Sequence, residues 1–221
     1  MIDRSRAERI IARDSWFASQ PASLRRALLA RAQITTVKAG QWIYGTGDAL
    51  NGLYGVVTGS AHLMLASGEA DVLIEIVQAG QLFGQAARFG GGPRLVTAIA
   101  GEHSTLLHVP DHALAEIARS ETGVWRSFTE LLYSQLASAL ALAGAMIHLP
   151  PPARVAARLI MLSAGQTRIH VTQSQLAELT GLSRKTVNFH LRALAAADII
   201  SLAYRVIAVK DPARLRARAR I

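Results

Sequence analysis

The chain has no cysteine. Disulfides, thiolate metal sites and cysteine-ligated iron–sulfur clusters are therefore closed to it. Aromatic residues make up only 5% of its 221 residues. No apolar run approaches the ~18 uninterrupted residues of a membrane span. The start, Met1-Ile2-Asp3-Arg4, leads into an amphipathic stretch and not a signal-peptide core, so a cytoplasmic protein with no membrane partner is expected. Catalytic patterns are scarce too. The seven histidines, His62, His103, His108, His112, His148, His170 and His190, show no HExxH or other paired ligand spacing, and neither a Gly-x-Ser-x-Gly elbow nor a phosphate loop occurs. No catalytic residue and no metal site is assigned, and the residues leave any cofactor unknown.

Acidic residues nearly vanish from one stretch. Residues 1–151 hold 12 Lys/Arg against 12 Asp/Glu, whereas residues 152–221 hold 12 Lys/Arg against only Glu178, Asp198 and Asp211, so the whole net charge of +9 sits in the last third. A neutral part is joined to a basic one. That segregation is the electrostatic footprint of a phosphate-backbone binder, and double-stranded DNA is the partner it implies.

Within the basic part, Val171 to Leu194 reads as two short helices joined by a tight turn, a helix-turn-helix. Thr172 and Gln175 make a capping-box pair ahead of Leu176 and Leu179. Thr180-Gly181-Leu182 breaks the run, and Ser183 caps the second helix. Val187, Leu191 and Leu194 recur at i, i+4 and i+7 and point into a small core. The opposite face carries Lys185, Phe189 and Arg192, flanked by Asn188, with Arg184 in the first turn. Such a helix suits the major groove, where arginine bonds guanine bidentately and phenylalanine meets a thymine methyl. Thr172, Ser183, Arg184, Lys185, Asn188, Phe189 and Arg192 are the candidate DNA-binding residues.

The rest of the chain, taken in order, gives an α+β protein. Residues 5–32 read as two short helices broken at Gln20-Pro21. From Ile34 to about Val109 short β-branched or aromatic runs are punctuated by glycine, and strands are expected at 42–44, 53–57, 61–66, 72–77, 95–100 and 104–109, a barrel or jelly roll. Asp111 is expected to cap a helix to about Arg119, and a long helix restarts at Thr122 or Gly123 and runs to His148. Along it Leu132, Leu136, Ala139, Ala143 and Met146 step 4, 3, 4, 3, the seam spacing of a two-stranded coiled coil, which makes them candidate dimer-interface residues and a second copy of the chain a partner. Pro150-Pro151-Pro152 stops that helix and is a hinge candidate. A helix over Ala153 to Leu162, ended by Gly165, precedes the helix-turn-helix, and Ile199 to Val209 reads as a β-hairpin wing about Ala203-Tyr204. Arg214, Arg216, Arg218 and Arg220 share no helical face and read as a frayed, solvated end.

This order resembles the cyclic-AMP receptor (Crp/Fnr) family of bacterial transcription regulators. The resemblance rests on Ser15-Trp16-Phe17, the stretch Gly40 to Asp48, Leu53 to Gly59, Gly80-Gln81-Leu82-Phe83-Gly84, Arg154 to Leu159 and Ser183 to Val187, which together span nearly the whole chain. It implies a double-stranded β-helix effector domain over residues 1–120, a dimerisation helix over 121–149 and a winged helix-turn-helix over 150–221. It further implies a homodimer, an effector pocket around Gly84, Gln85, Arg94 and Leu95 for a small-molecule effector, and RNA polymerase as a candidate partner. In the family's nucleotide-binding members a Glu follows this Phe-Gly, and the later Arg is followed by Ser or Thr. Here Gln85 and Leu95 replace the carboxylate and the hydroxyl while Arg94 is kept, so tight cyclic-AMP binding is not expected. Arg94 pairing with a carboxylate such as Glu102 is the structural alternative. In the recognition helix Arg184 matches a contacting arginine of the family, while Lys185 and Phe189 depart from the cyclic-AMP receptor.

Three other readings stay open at this point. The first is a cyclic-nucleotide-binding signalling module that acts through protein contacts, which Arg94 favours and the changes at Gln85 and Leu95 oppose. The second is an enzyme, for which His103-Ser104 and the Gly90-Gly91-Gly92 run are most simply a strand start and a loop. The third is a haem-based gas sensor, known elsewhere in the family, whose axial ligand a lone histidine could supply.

Overall fold

The computed structural model describes residues 3–49, 51–68, 70–163 and 166–219. Two compact units divide the chain, Met1–Leu136 and Ala137–Ile221.

The first unit opens with three helices, α1 (Arg4–Ile11), α2 (Ser15–Ser19) and α3 (Ala22–Arg31), one more than the sequence pattern suggested. Asp3 and Asp14 cap the first two, each carboxylate accepting a backbone N–H three residues on, from Arg6 and Phe17. Eight strands follow, with α4 (Ala86–Gly90) among them: β1 (Gln33–Val37), β2 (Trp42–Tyr44), β3 (Leu53–Thr58), β4 (Ser60–Ser67), β5 (Ala70–Gln78), β6 (Leu82–Phe83), β7 (Thr97–Ala100) and β8 (Ser104–Val109). They form two four-stranded antiparallel sheets, β1-β8-β3-β6 and β2-β7-β4-β5. The strands β1 and β6 were not legible in the pattern, since β1 is exposed at four of its five positions and β6 is two residues long.

The period of two in β3 sorts its side chains between two cores. Tyr54 and Val56 face Tyr44, Ala61, Val77, Phe83 and Leu106 between the sheets. Leu53 and Val57 face the helices and meet Ile11, Phe17, Leu28, Leu114 and Phe128. Gly55 lies on that helix side, and a Cβ there would come within 2.5 Å of Ile11 Cδ1, so only glycine lets α1 approach this closely.

Next come α5 (Asp111–Ser120) and α6 (Val124–His148). Asp111 does not cap α5: Pro110 holds the cap position without a side-chain bond, and the Asp111 carboxylate instead pairs with Arg88 on α4. The helix α6 is long and apolar enough, by length and composition alone, to cross a membrane, although little of it is buried within the chain. The polar residues scattered through it, such as Glu130 and Gln135, are what keep its apolar runs short in the sequence.

The second unit holds the end of α6, α7 (Pro151–Ser163), β9 (Arg168–His170), α8 (Gln173–Thr180), α9 (Arg184–Ala196), β10 (Ile200–Ala203), β11 (Val206–Val209) and α10 (Pro212–Ala219). Pro151 and Pro152 open α7, where a missing N–H costs nothing. The three strands pair as β10-β11-β9 over a core of Val155, Leu159, Ile169, Leu176, Val187, Leu191 and Ile207. The tail is a helix and not a frayed end. Asp211 accepts the N–H of Arg214, and Leu215 and Ala219, one turn apart on one face, are fully buried where α10 packs on α7. Gly165 and Arg220 lie outside the described residues.

Candidate functional site

The helix-turn-helix is built by local bonds that the sequence pattern anticipates. Thr172 Oγ1 accepts the N–H of Gln175 at 3.1 Å while Gln175 Oε1 accepts the N–H of Thr172 at 2.8 Å. The helix α8 stops at Gly181, whose φ of +61° is a left-handed conformation that glycine adopts freely. Ser183 Oγ then accepts the N–H of Thr186 and starts α9. At the C-terminal end of α8, Arg154 of α7 donates to the carbonyl of Thr180, so the turn is braced from behind.

Helical periodicity does the rest. Val187, Leu191 and Leu194 are buried, so the remaining positions of α9 face outward. Arg184, Lys185 and Arg192 are exposed, and Phe189 is 68% exposed with its ring edge-on to His190. A phenylalanine left in water on a basic face lacks an intrachain reason to be there. Asn188 is half-buried, and its Oδ1 accepts from Gln173 Nε2 at 3.3 Å. Gln173 thus orients a residue of the outward face, a role with no signal in the sequence pattern. Thr172, Gln173, Ser174 and Arg184 line one side of a cleft of about 440 Å³ whose other side is the β10–β11 turn with Tyr204 and Arg205.

In the first unit, Gly84, Gln85 and Arg94 converge and Leu95 does not. Arg94 is buried, 4% exposed, but no carboxylate among the described residues meets it. Its guanidinium donates to the Gly84 carbonyl, to Asn51 Oδ1 and, at 3.0 Å, to the Gly52 carbonyl, and it lies 4.1 Å from the Tyr44 ring centroid. The pairing with Glu102 is therefore wrong: neutral acceptors and an aromatic face take the charge instead. Burial pushes the Tyr44 phenol up to about 12, with the Arg94 charge pulling the other way. Gln85 is fully buried, and its Nε2 donates to Gln135 Oε1 of α6 at 2.9 Å, while its own Oε1 has no partner among the described residues. Leu95 is 71% exposed and stands outside this cluster.

Residues 34–121 match the family model "Cyclic nucleotide-binding domain" and residues 153–218 match "Crp-like helix-turn-helix domain". The chain belongs to the Crp/Fnr family of transcription regulators. Among Crp/Fnr relatives, the "CRP-like cAMP-activated global transcriptional regulator" of Mycobacterium tuberculosis is 25% identical over 223 residues, covering 96% of this chain and 100% of that protein. The "HTH-type transcriptional regulator Cmr" of the same organism is 24% identical over 193 residues, covering 87% of this chain and 79% of that one. In fold, this Crp/Fnr chain is similar to FixK2 from Bradyrhizobium japonicum, with a TM-score of 0.74 at 20% identity over 85% of this chain and 96% of the other.

On the helix that the Crp/Fnr resemblance assigns to dimerisation, two apolar rows that share Leu136 and Ala143 are both largely exposed, and they differ in degree. Leu132 is half-buried, and Met146 Cε comes within 3.2 Å of the place a Cβ on Gly181 would take. Leu136, Ala139 and Ala143 are exposed as expected of a free face. Tyr133, Leu140 and Ile147, which the sequence reading passed over, are the more exposed large side chains. Tyr133, Leu136, Leu140, Ala143 and Ile147 step 3, 4, 3, 4 and so form a seam row of their own.

Proposed function

We propose that this Crp/Fnr regulator acts as a cytoplasmic homodimer joined along α6, that it binds paired DNA half-sites with the outward face of α9, and that it does so without cyclic AMP. The observation that carries the reading is the sorting of α9: apolar residues buried on one side, Arg184, Lys185, Phe189 and Arg192 in water on the other, in the domain that bears the whole net charge. Arg184 in the first turn would reach a guanine edge, with Lys185 and Arg192 on phosphates and Phe189 against a thymine methyl. Thr172 and Ser183 serve by fixing the two helix starts.

The dimer is supported by the row from Tyr133 to Ile147, apolar, regularly spaced and uncovered. Independence from cyclic AMP is supported by the state of Arg94. Three of its five N–H groups are committed to Gly84, Asn51 and Gly52, so a phosphate that left those bonds intact would find only the remaining donors, Nε–H among them. Gln85 presents its amide to Gln135 and not to a ribose. Any effector of this pocket would be less polar than a nucleotide. RNA polymerase is the partner through which a regulator so bound would act.

Selection from random duplex DNA tests the proposal. The expected outcome is a near-palindrome of two half-sites about one helical turn, ~10 bp, apart. Single half-sites, or no enrichment, would overturn it. Calorimetry with cyclic AMP should show no binding in the micromolar range.

A further inference from the structure

We propose that Asn51-Gly52 is a self-modification site. The folded chain closes the Asn51 side chain onto the Gly52 nitrogen, releases ammonia, and is left with an aspartate at position 51 that pairs with Arg94.

Three observations meet at this dipeptide. Gly52 has a φ of +115°, and a Cβ there would come within 2.1 Å of the Val109 carbonyl oxygen, so the residue after Asn51 has to be glycine. No side chain of residue 52 then stands between its nitrogen and the Asn51 amide carbon. Arg94 Nη2 donates to Asn51 Oδ1 and, at 3.0 Å, to the Gly52 carbonyl. A guanidinium thus already sits on the oxygen that turns negative when the amide is attacked. His108 Nε2 donates to the Asn51 main-chain carbonyl at 2.5 Å, which draws electrons from the Asn51-Gly52 peptide bond and makes the Gly52 N–H easier to lose. The His108 ring is held there by stacking on Tyr54 at 4.4 Å between centroids. Asn51 is half-buried, so water reaches it.

In the first step the Gly52 nitrogen bonds to Asn51 Cγ and the Cγ–Nδ2 bond breaks. Nδ2 leaves as ammonia, taking the proton that Gly52 gives up, and a cyclic imide remains. Water then opens the imide. Opening at Cγ restores the Gly52 N–H and leaves a carboxylate, whereas opening at the main-chain carbonyl leaves a β-linked backbone. The fold selects the first route. A β-linkage lengthens the main chain just before β3, where Leu53 and Tyr54 are held in register against Val109 and His108 of β8. A carboxylate at position 51 also gives the buried Arg94 guanidinium a counter-charge that no described residue supplies, and it turns a neutral acceptor into a charge-assisted one.

The test incubates the freshly purified full chain at neutral pH, folded in buffer or unfolded in urea, and follows Asn51 by peptide mass spectrometry. Labelling with an isoaspartate-specific methyltransferase separates the two products. The expected result is faster conversion in the folded chain, with normal aspartate as the main product. Conversion no faster than in urea, an intact Asn51, or a mainly β-linked product would overturn the proposal. His108→Phe keeps the ring on Tyr54 but removes the donor, and conversion should then be about tenfold slower. An unchanged rate would overturn the part assigned to His108. Asn51→Asp should raise the thermal midpoint of the first unit, and a lowered midpoint would overturn the pairing with Arg94.

Discussion

Gln85 and Gln135 share a hydrogen bond of 2.9 Å that ties the loop after β6 to α6. Gln85 is fully buried, and it donates this bond to α6. Phe89 of α4 adds to the tie by stacking on Phe128 at 3.8 Å between centroids. The segment from Gln85 to Phe89 is therefore joined to α6 by a polar bond and an aromatic stack. Gln135→Ala would strand the Gln85 amide in a buried site and should cost about 1–3 kcal/mol, read by urea unfolding.

Arg94→Met should destabilise the first unit strongly. It removes the donors to Gly84, Asn51 and Gly52, and leaves those acceptors unpaired in the interior. A loss of about 3 kcal/mol or more is expected in the denaturant midpoint. A variant as stable as the wild type would mean that Arg94 is held in reserve for a ligand.

Leu140→Glu places a carboxylate in the centre of the exposed row and should yield monomers by light scattering, with much weaker operator binding because two linked contacts become one. Leu132→Glu should do less to assembly and more to stability, since Leu132 is half-buried in its own chain. The reverse ranking would return the seam to the row Leu132, Leu136, Ala139, Ala143 and Met146.

Arg184→Ala should cost roughly 1–3 kcal/mol on the operator and relax one base position in a repeated selection. A uniform loss on all sequences would make Arg184 a phosphate contact. Gln173→Ala should alter preference only where Asn188 reads, because it frees that side chain without removing it.

Burial raises the Asp14 carboxyl above its ordinary value of 3.8, against the backbone N–H bonds from Phe17, Trp16 and Leu82 that lower it. A carboxyl raised on folding stabilises most below its unfolded value, and that contribution is lost as pH rises through the folded value. Asp14→Asn keeps a capping acceptor but carries no charge. It should be at least as stable as the wild type at pH 7, and that advantage should shrink as pH falls below the folded value of Asp14, measured by thermal melts between pH 3 and pH 7.

Local chemistry was legible in the amino-acid sequence because its causes lie within a few residues. The Thr172–Gln175 box, the Gly181 stop, the Ser183 cap and the two faces of α9 depend on spacing and rotation about one axis, and the placing of all net charge beyond Pro151 is simple counting. What needed the tertiary structure was the choice of neighbour. Arg94 could have met a carboxylate, a ligand or carbonyls, and only the approach of Gly84, Asn51 and Gly52 decided for carbonyls. Two apolar rows on α6 have equal seam spacing, and how far each side chain stays in water depends on what the rest of its unit covers. The tail arginines hid the one pair, Leu215 and Ala219, that α7 recruits. Tyr204 and Arg205 read as an ordinary turn until the fold set them across a cleft from Arg184. Sequence fixes periodicity and caps through bonds along the chain, whereas burial is a property of surfaces brought together from far apart in it.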